Sequence, residues 1–566
     1  MLDSAIKKQS FWHVMIVLGM LLAAFGVSAR VVYVHIVQSD FLKHEGERHY
    51  KRNIPQYAYR GNILDRTGRE LAVSAPSVSI WADPSDLLAD PDGLMDLSKS
   101  LKEDFYTLKR RAEKLRHQDF MYIKRQVEPV RAAGIQSAGR GMVSIINERK
   151  RLYPESNVFS HIVGVTDIDG NGVEGVELAF DRHLQGADGE ISVIRDRLGR
   201  SFEVIDTPKV KVDGGDVVLS IDRNIQYIGY SELRSALSRH DAASGMLIVL
   251  DVKRSKVLSM VNYPAYNPND RRYVEMRNMR NRAVTDIFEP GSSIKPFIVA
   301  AALETTALKP TDVIDVSPGY ISLAGKKIKD SRNYKSLDVA GVLAKSSNVG
   351  IVKIASMIDD AVLADKLRDY GLFSSSGIEL PGEATGLFAS QPEWGGTYKD
   401  FLSFGYGAAL SALQLANSYM VLANNGIRKD LSILNDNEAA AGVRVIDADV
   451  AASVLGMLQG VVGVDGTGRA ADTAAYQVAG KTGTAKKLQD GVYQDDAYLA
   501  VFTGIAPVVD PEIVIAVIVD DPKKNGFYGG QVAAPVFSRV ASRILRYLDV
   551  KPDIEKIASI APVVSG

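Results

Sequence analysis

Cysteine is absent from this chain of 566 residues, and histidine is absent from residues 241–566. The lack of cysteine excludes disulfides, thiolate nucleophiles and cysteine-bound metals. The lack of histidine excludes a Ser-His-Asp triad, a Cys-His pair or a histidine zinc centre built wholly within the C-terminal stretch. We therefore expect no metal and no cofactor, and chemistry there that relies on lysine, carboxylates, hydroxyls and backbone amides.

An excess of charge of either sign is also missing, since 67 basic residues face 68 acidic ones. No half of the chain is strongly charged, so we expect no nucleic-acid partner. Hydrophobic residues make up 46% and charged residues 24% of the chain. These shares are typical of globular proteins, and the length predicts several domains.

Long apolar runs are scarce, and the one that is present lies near the N-terminus. Phe11 to Ala29 is almost uninterrupted apolar sequence, and as a helix it would span about 28 Å, close to the thickness of a bilayer's hydrocarbon core. Lys7 and Lys8 precede it, which favours a cytoplasmic N-terminus. We predict a cytoplasmic tail at residues 1–10 and a single transmembrane anchor at residues 11–33.

A cleaved signal peptide is the alternative, because Val27-Ser28-Ala29 resembles a small-residue cleavage site. The apolar run is longer than the usual core of a signal peptide, and Val31 to Val37 continues it. We therefore predict that the anchor is retained and that the residues after it lie on the far side of the membrane. The absence of cysteine suits that location.

The residues after the anchor read as short strands, turns and surface helices up to a boundary at Val212 to Gly215. This composition predicts a non-catalytic α+β domain at residues 34–215. Within it, apolar residues at helical spacing predict one amphipathic surface helix, carried by Leu101, Phe105, Leu108, Ala112 and Leu115.

A second α+β domain is predicted at residues 216–550, followed by a tail at 551–566. Gly245 to Asp251 and Val257 to Val261 read as a hairpin. An antiparallel meander and flanking helices complete the expected sheet. The meander strands are predicted at Tyr476–Ala485, Ala497–Ile505 and Glu512–Val519, and the helices at Ser292–Glu304 and Ala534–Tyr547.

The segment Glu289 to Pro296 carries a Ser-x-x-Lys motif next to structure-breaking residues. Pro296 lacks an amide donor, so it fits only if a helix begins near Ser292 or Ser293. Lys295 then lies one turn after Ser292 on the same face, where it could act as base. The positive end of the helix dipole would support a developing oxyanion.

A lysine base must have a pKa far below its ordinary value of about 10.4 to be neutral near pH 7. Burial lowers a lysine pKa, and a second cation such as Lys481 acts in the same direction. The alternative is that Lys295 stays charged and only positions Ser292, which would leave Glu289 or Asp286 as base.

Two further motifs follow in order, Ser346-Ser347-Asn348 and Lys481-Thr482-Gly483-Thr484. Each motif is weak alone, although a glycine within a predicted strand often marks a ligand's close approach to the backbone. Together with Ser-x-x-Lys they form the Ser-x-x-Lys, Ser-x-Asn, Lys-Thr-Gly set of penicillin-binding proteins and serine β-lactamases.

The sequence around these motifs resembles the division-specific class B penicillin-binding proteins of the FtsI type over nearly the whole chain. One departure is Ser411 to Ala416, where the family more often has Thr-Pro, and the tail from residue 551 resembles nothing known to us. The resemblance is carried by Arg282–Ser292, Ser346–Gly350, Lys481–Lys487, Phe527–Gly530, Ala533–Phe537, Arg60–Gly68 and Leu71–Ser74.

The resemblance implies a penicillin-binding/β-lactamase-like transpeptidase domain of α+β class, preceded by an elongated α+β pedestal and one inner-membrane anchor with the catalytic domain in the periplasm. It implies a peptidoglycan D,D-transpeptidase that cross-links septal stem peptides, from a D-Ala-D-Ala donor to an amine acceptor, and that β-lactam antibiotics inhibit covalently. Implied partners are a septal glycosyltransferase and other division proteins.

The resemblance also implies roles for individual residues. Ser292 would be the nucleophile, Lys295 its base, and Ser346 the group that helps return a proton to the leaving amine. Backbone amides of Ser292 and Thr484 would form the oxyanion hole. The residues that would bind the donor peptide and its carboxylate are Asn348, Lys481, Thr482, Gly483 and Thr484.

Other functions use the same motifs. A β-lactamase or D-Ala-D-Ala carboxypeptidase would let water reach the acyl-enzyme, but the anchor and the additional domain argue against a β-lactamase. An elongation-type transpeptidase differs only in where it acts. From another class, a β-lactam sensor or a division scaffold would carry the site without turnover.

Overall fold

A computed structural model describes residues 2–42, 51–195, 201–270, 275–390, 394–436, 441–489 and 491–553. The predicted tail beyond residue 553 lies outside the described residues. Among the described residues, the strands of the N-terminal half are β1 Lys51–Gln56, β2 Ile63–Leu64, β3 Glu70–Ala82, β4 Met121–Val127, β5 Val143–Leu152, β6 Val165–Thr166, β7 Gly172–Glu174, β8 Gly189–Arg195, β9 Ser201–Lys209 and β10 Val217–Val218. Its helices are α1 Leu2–Val32, α2 Pro84–Ala89, α3 Pro91–Leu101, α4 Phe105–Lys114, α5 Pro129–Ala138, α6 Ser160–Val163, α7 Gly175–Ala179 and α8 Asp181–Gln185.

The C-terminal half is richer in long elements. Its strands are β11 Ser244–Asp251, β12 Lys256–Tyr263, β13 Ile287–Phe288, β14 Val313–Asp315, β15 Tyr320–Leu323, β16 Lys326–Lys329, β17 Ser336–Asp338, β18 Leu410–Ser411, β19 Ile427–Lys429, β20 Gly442–Arg444, β21 Ala479–Gln489, β22 Val492–Ala506 and β23 Ile513–Asp520. Its helices are α9 Arg223–His240, α10 Arg282–Thr285, α11 Lys295–Thr305, α12 Val339–Ala344, α13 Asn348–Ala355, α14 Asp360–Asp369, α15 Tyr398–Ser403, α16 Ala412–Ala423, α17 Ala448–Val462, α18 Gly529–Val532 and α19 Ala534–Tyr547.

The chain forms two compact units, and the smaller one comprises Met1–Tyr59 with Gly186–Gly214. It contains α1 and an antiparallel sheet of order β1-β8-β9. Phe11–Val37 is long and apolar enough to cross a membrane. The protein does not bury its most apolar stretch, as expected of a helix surrounded by lipid. In the part of the chain that the structure describes it is the one helix with these properties.

The larger unit comprises Arg60–Gln185 and Gly215–Gly566. In its first segment β3 pairs with both β4 and β5 in antiparallel register, and α2 to α5 cover one face of these strands. Alternate residues such as Ile80 and Ala82 form a small core with Leu97 and Leu108 of the helices, because successive side chains of a strand point to opposite faces.

The predicted single helix through Leu101 and Leu115 is wrong, since two helices occupy this stretch. α3 ends at Leu101, and Lys102 adopts a left-handed conformation with φ 55°. Asp104 then caps α4, accepting a hydrogen bond from the amide of Thr107 at 2.8 Å. The apolar residues have helical spacing on each side of the break. The turn at Lys102 and the cap at Asp104 nevertheless separate them into two helices.

A buried cluster of one carboxylate and two guanidinium groups ties this segment together. Glu177 is fully buried and accepts hydrogen bonds from Arg60 Nε at 2.7 Å and from Arg151 Nε at 2.6 Å. Arg60 also donates to Asp181 at 2.7 Å. Glu177 therefore compensates two cations that have little access to water.

Replacing Glu177 by glutamine is expected to lower the free energy of unfolding of the larger unit by about 3–5 kcal/mol, because Arg151 would be left buried without a countercharge and Arg60 would keep only Asp181. Denaturant unfolding of the full chain in detergent measures this loss. Glu232→Gln is the matched control, since Glu232 also pairs with two arginines, Arg539 and Arg543, but these are substantially exposed. We expect it to cost no more than about 1 kcal/mol. Equal losses in both variants would contradict the prediction.

The main sheet of the larger unit has the strand order β12-β11-β23-β22-β21 and is antiparallel throughout. The predicted hairpin and the predicted meander are both confirmed, and the pairing of β11 with β23 joins them.

Side chains of β11 alternate between two cores: Leu247 and Val249 contact one, and Ile248 and Leu250 contact the other. α9 and α19 cover the first face, and α16 lies against the second. The α+β layered architecture follows from this double coverage.

Candidate active site

The Ser-x-x-Lys motif lies where a 3-10 turn, Gly291–Ile294, leads into α11. The predicted helix start near Ser292 is therefore only partly correct, since regular α-helix begins at Lys295, and Pro296 occupies its first turn. Gly291 has φ +53° and donates its amide to Gly405 O at 3.2 Å. A side chain on Gly405 would lie 2.1 Å from Gly291 O, so only glycine permits this approach.

Lys295 points away from solvent into the second motif. It is fully buried, and its Nζ lies 2.8 Å from both Ser346 O and Asn348 Oδ1. Longer contacts of 3.3 Å reach Ser346 Oγ and Ser347 O. The ammonium or amine of Lys295 is thus held by the loop that carries Ser-x-Asn.

Ser346 joins the two buried lysines of the site. Its Oγ lies 3.3 Å from Lys295 Nζ and 3.0 Å from Lys481 Nζ, and Lys481 is also fully buried. Ser346 has φ +55°, a left-handed conformation that costs free energy for a residue with a side chain and is concentrated at functional sites. One hydroxyl can therefore exchange protons with either amine.

Burial disfavours the charged form of both lysines. It is the main cause that lowers the pKa of Lys295 well below 10.5, and the nearby positive charge of Lys481 acts in the same direction. The negative charge of Asp330 opposes this shift. Burial also lowers the pKa of Lys481 to about 7. Neutral lysine, the form that can accept a proton, is therefore accessible at pH values where a free lysine is charged.

The Lys-Thr-Gly motif lies on β21, the last strand in the order of the main sheet. Gly483 is required there because an added Cβ would lie 2.9 Å from Pro290 O, beside the 3-10 turn that carries Ser292. Thr484 Oγ accepts the amide of Gly529 at 3.0 Å, and Thr482 Oγ lies 2.9 Å from Thr467 Oγ. The strand is thereby fixed close to Ser292.

Residues of all three motifs line one cleft of about 830 Å³, a size typical of ligand sites. Ser292, Ser346, Asn348, Thr482 and Thr484 line it, while Lys295 and Lys481 lie beneath. Sequence reasoning did not select several other residues of the lining, namely Lys329, Asp330, Lys345, Thr467, Arg469 and Gln531. Of these, only Thr467 carried a local signal, because it lies between two glycines.

An antiparallel sheet covered by helices carries a cleft lined by Ser292, in which the Ser346 hydroxyl contacts two buried lysines. This arrangement is typical of the serine acyltransferases that include transpeptidases and β-lactamases. Residues 245–542 match the family described as "Penicillin binding protein transpeptidase domain", and residues 55–219 match "Penicillin-binding Protein dimerisation domain". The chain belongs to the penicillin-binding protein transpeptidase family.

Two curated relatives are similar over nearly their full length. The chain is 35% identical over 549 residues to "Peptidoglycan D,D-transpeptidase FtsI" of Escherichia coli, covering 96% of this chain and 93% of that protein. It is 36% identical over 528 residues to "Probable peptidoglycan D,D-transpeptidase PenA" of Neisseria gonorrhoeae, covering 93% and 90%. Penicillin-binding protein 3 of Mycobacterium tuberculosis, solved with aztreonam, has a TM-score of 0.69 at 27% identity, covering 88% of this chain and 98% of that chain.

Proposed function

We propose that this chain is a class B peptidoglycan D,D-transpeptidase that cross-links stem peptides of the septal wall through an acyl-enzyme on Ser292. The observation that carries the proposal is the Ser346 hydroxyl, which lies 3.3 Å from Lys295 Nζ and 3.0 Å from Lys481 Nζ at the base of the Ser292 cleft. Such a site can move protons without histidine.

In the acylation step Ser292 Oγ attacks the carbonyl carbon of the penultimate D-Ala. Lys295 in its neutral form takes the hydroxyl proton, and backbone amides of Ser292 and Thr484 stabilise the oxyanion. The peptide bond to the terminal D-Ala then breaks, and Ser346 relays a proton to the leaving amine. In the deacylation step the amine of a second stem peptide attacks the ester carbonyl and forms the new peptide bond. The ester bond to Ser292 breaks, and a proton from the amine returns to Ser292 Oγ by way of Lys295.

Substrate binding is assigned to the edge of β21 and to the Ser-x-Asn loop. An extended donor peptide can pair with the backbone of this strand, as peptides do at exposed sheet edges. Lys481 and Thr482 would meet the terminal carboxylate, and Asn348 would hold the donor peptide. Gly483 and Thr484 would complete the part of the strand that binds substrate. β-Lactam antibiotics would acylate Ser292 because they present a reactive amide to the same groups.

A labelled penicillin tests this function on the full chain in detergent. We expect a stable covalent adduct, together with release of D-Ala and formation of cross-linked dimers from a pentapeptide donor. Rapid turnover of the adduct would indicate a β-lactamase, and D-Ala release without dimers would indicate a carboxypeptidase. A stable adduct without any peptide chemistry would indicate a sensor or scaffold.

Septal action and orientation in the membrane belong to the same proposal. Lys7 and Lys8 before the apolar helix support a cytoplasmic N-terminus, with the transpeptidase domain in the periplasm and a septal glycosyltransferase and other division proteins as partners. Reporter fusions at each terminus test the orientation. Depletion of the protein in its host should give filaments, whereas an elongation enzyme would give rounded cells.

A further inference from the structure

Asp330 lies outside every motif that the sequence marks, yet it lines the cleft. It follows β16 in an insert that runs from β14 to β17, between α11 and α12. Its backbone amide donates to Gly319 O at 3.0 Å, which holds this end of the β15–β16 hairpin. Asp330 therefore lies in the site although its segment of the chain contains none of the three motifs.

The carboxylate of Asp330 accepts three hydrogen bonds from the Ser-x-Asn region. Oδ2 accepts from Ser347 Oγ at 2.6 Å, and Oδ1 accepts from the amides of Asn348 at 2.6 Å and Val349 at 3.1 Å. The last two are free amides at the start of α13, where a negative charge is favourable. The neighbouring carbonyl of Lys329 accepts from Asn348 Nδ2 at 3.1 Å.

The loop that Asp330 holds is the same loop that binds Lys295. Asn348 is held through its backbone by Asp330 and through its side-chain Nδ2 by the insert, which leaves its Oδ1 at 2.8 Å from Lys295 Nζ. The left-handed conformation of Ser346 lies two residues before these contacts. Fixing Ser347 and Asn348 therefore also fixes the carbonyl and hydroxyl that Ser346 presents to Lys295.

Charge gives Asp330 a second effect. Two charged groups act on Lys295: Lys481 on β21 lowers its pKa, and Asp330 at the end of β16 raises it. Burial, the largest influence, acts in the same direction as Lys481. Loss of the Asp330 charge would leave the lowering influences unopposed.

We propose that Asp330 is a positioning residue of the acyl-transfer site, whose carboxylate holds the Ser346–Asn348 loop against Lys295 and supplies a negative charge that acts on this buried lysine. The inference rests on the proposed function, because it concerns how the same site is assembled. Asp330 would then add a residue of the β14–β17 segment to a site that is otherwise built from the three motifs.

Asp330→Asn tests the proposal in the full chain in detergent, with the rate of acylation by a labelled penicillin measured from acid to alkaline pH. Asparagine keeps one acceptor oxygen but loses the charge and the acceptor for Ser347. We expect the rate on the alkaline plateau to fall roughly tenfold to a hundredfold, the effect of losing charge-assisted hydrogen bonds. We also expect the midpoint of the pH profile to move to lower pH, so that the deficit is smallest at the acid end.

Two further variants separate geometry from charge. Ser347→Ala removes one of the three hydrogen bonds to Asp330, together with the contact of Ser347 Oγ with the amide of Gly350 at 2.9 Å, but keeps the carboxylate. It should therefore slow acylation without moving the midpoint. Asp338→Asn is the matched control in the same insert, since Asp338 caps α12 by accepting the amide of Gly341 at 2.7 Å. Its midpoint should equal that of the wild type.

An Asp330→Asn variant with the wild-type rate, or with a reduced rate and an unmoved midpoint, would overturn the proposal. Failure of the wild-type chain itself to form an adduct would instead refute the proposed function. If Asp330→Asn does not yield folded protein, the Ser347→Ala variant decides, because an unchanged rate there would show that the capping contacts do not position the loop.

Discussion

Ser292→Ala is expected to abolish covalent labelling by penicillin and to reduce acyl transfer by about a millionfold, the loss typical of removing a serine nucleophile. Ser292 lines the cleft and lies in the 3-10 turn before α11. It contributes little packing, so the free energy of unfolding should change by no more than about 0.5 kcal/mol. Labelling followed by gel fluorescence and peptide mass spectrometry measures the first effect, and thermal unfolding the second.

Ser293→Ala is the matched control because the adjacent hydroxyl is buried and serves the fold. Ser293 Oγ donates to Pro290 O at 2.6 Å, and its backbone carbonyl accepts from Tyr419 OH at 2.8 Å. We expect this variant to lose about 1 kcal/mol of stability and to keep its labelling. An adduct found on Ser293 or Ser346 in the wild type would refute the assignment of the nucleophile.

Lys295→Arg should reduce acylation by about a hundredfold to ten-thousandfold, the usual contribution of a general base. Arginine stays protonated and cannot take the serine proton. Because burial and Lys481 lower the pKa of Lys295, its neutral form is present above that lowered pKa. The wild-type rate should therefore rise with pH through a midpoint well below the ordinary lysine value. Stopped-flow or quenched acylation from acid to alkaline pH measures this profile.

Carboxylates are the competing bases, and their surroundings differ from that of Lys295. Glu289 Oε1 accepts from the amide of Gly407 at 2.8 Å and from Tyr493 OH at 2.9 Å, while Asp286 pairs with Arg280 at 2.8 Å. Glu289→Gln and Asp286→Asn should retain substantial activity. Lys295→Gln controls for the larger size of arginine and should be equally slow. Near wild-type acylation by Lys295→Arg would refute the base assignment.

Much of the proposed site chemistry rests on the sequence, because it depends on residue types at short spacing. The absence of histidine and cysteine after residue 240 restricted catalysis to lysine, hydroxyl and carboxyl groups. The spacing from Ser292 to Lys295 and the glycine at 483 predicted the turn of the proposed nucleophile and the strand proposed to bind substrate. Apolar runs bounded by turn signals predicted the hairpin β11–β12 and the meander β21–β23, and the helix Ala534–Tyr547 was predicted after them.

Local signals were less reliable where a cap changes the backbone path. The break at Lys102 and Asp104 divides a stretch whose apolar spacing suits one continuous helix. At Ser411, where the family more often has Thr-Pro, the side chain forms a capping box with Gln414 at the start of α16. Both cases depend on single side chains that satisfy free amides, which periodicity does not describe.

The sequence by itself determined the order of the motifs, the membrane-length apolar helix and the types of element in the larger unit, because each depends on neighbours along the chain. Only the tertiary structure decided which groups meet. It placed the Ser346 hydroxyl between Lys295 and Lys481, paired β11 with β23, and brought Asp330 to the amides of α13. The physical reason is that burial and electrostatic coupling depend on distances in space, and residues far apart in sequence reach those distances only when the whole sheet and its helices are packed.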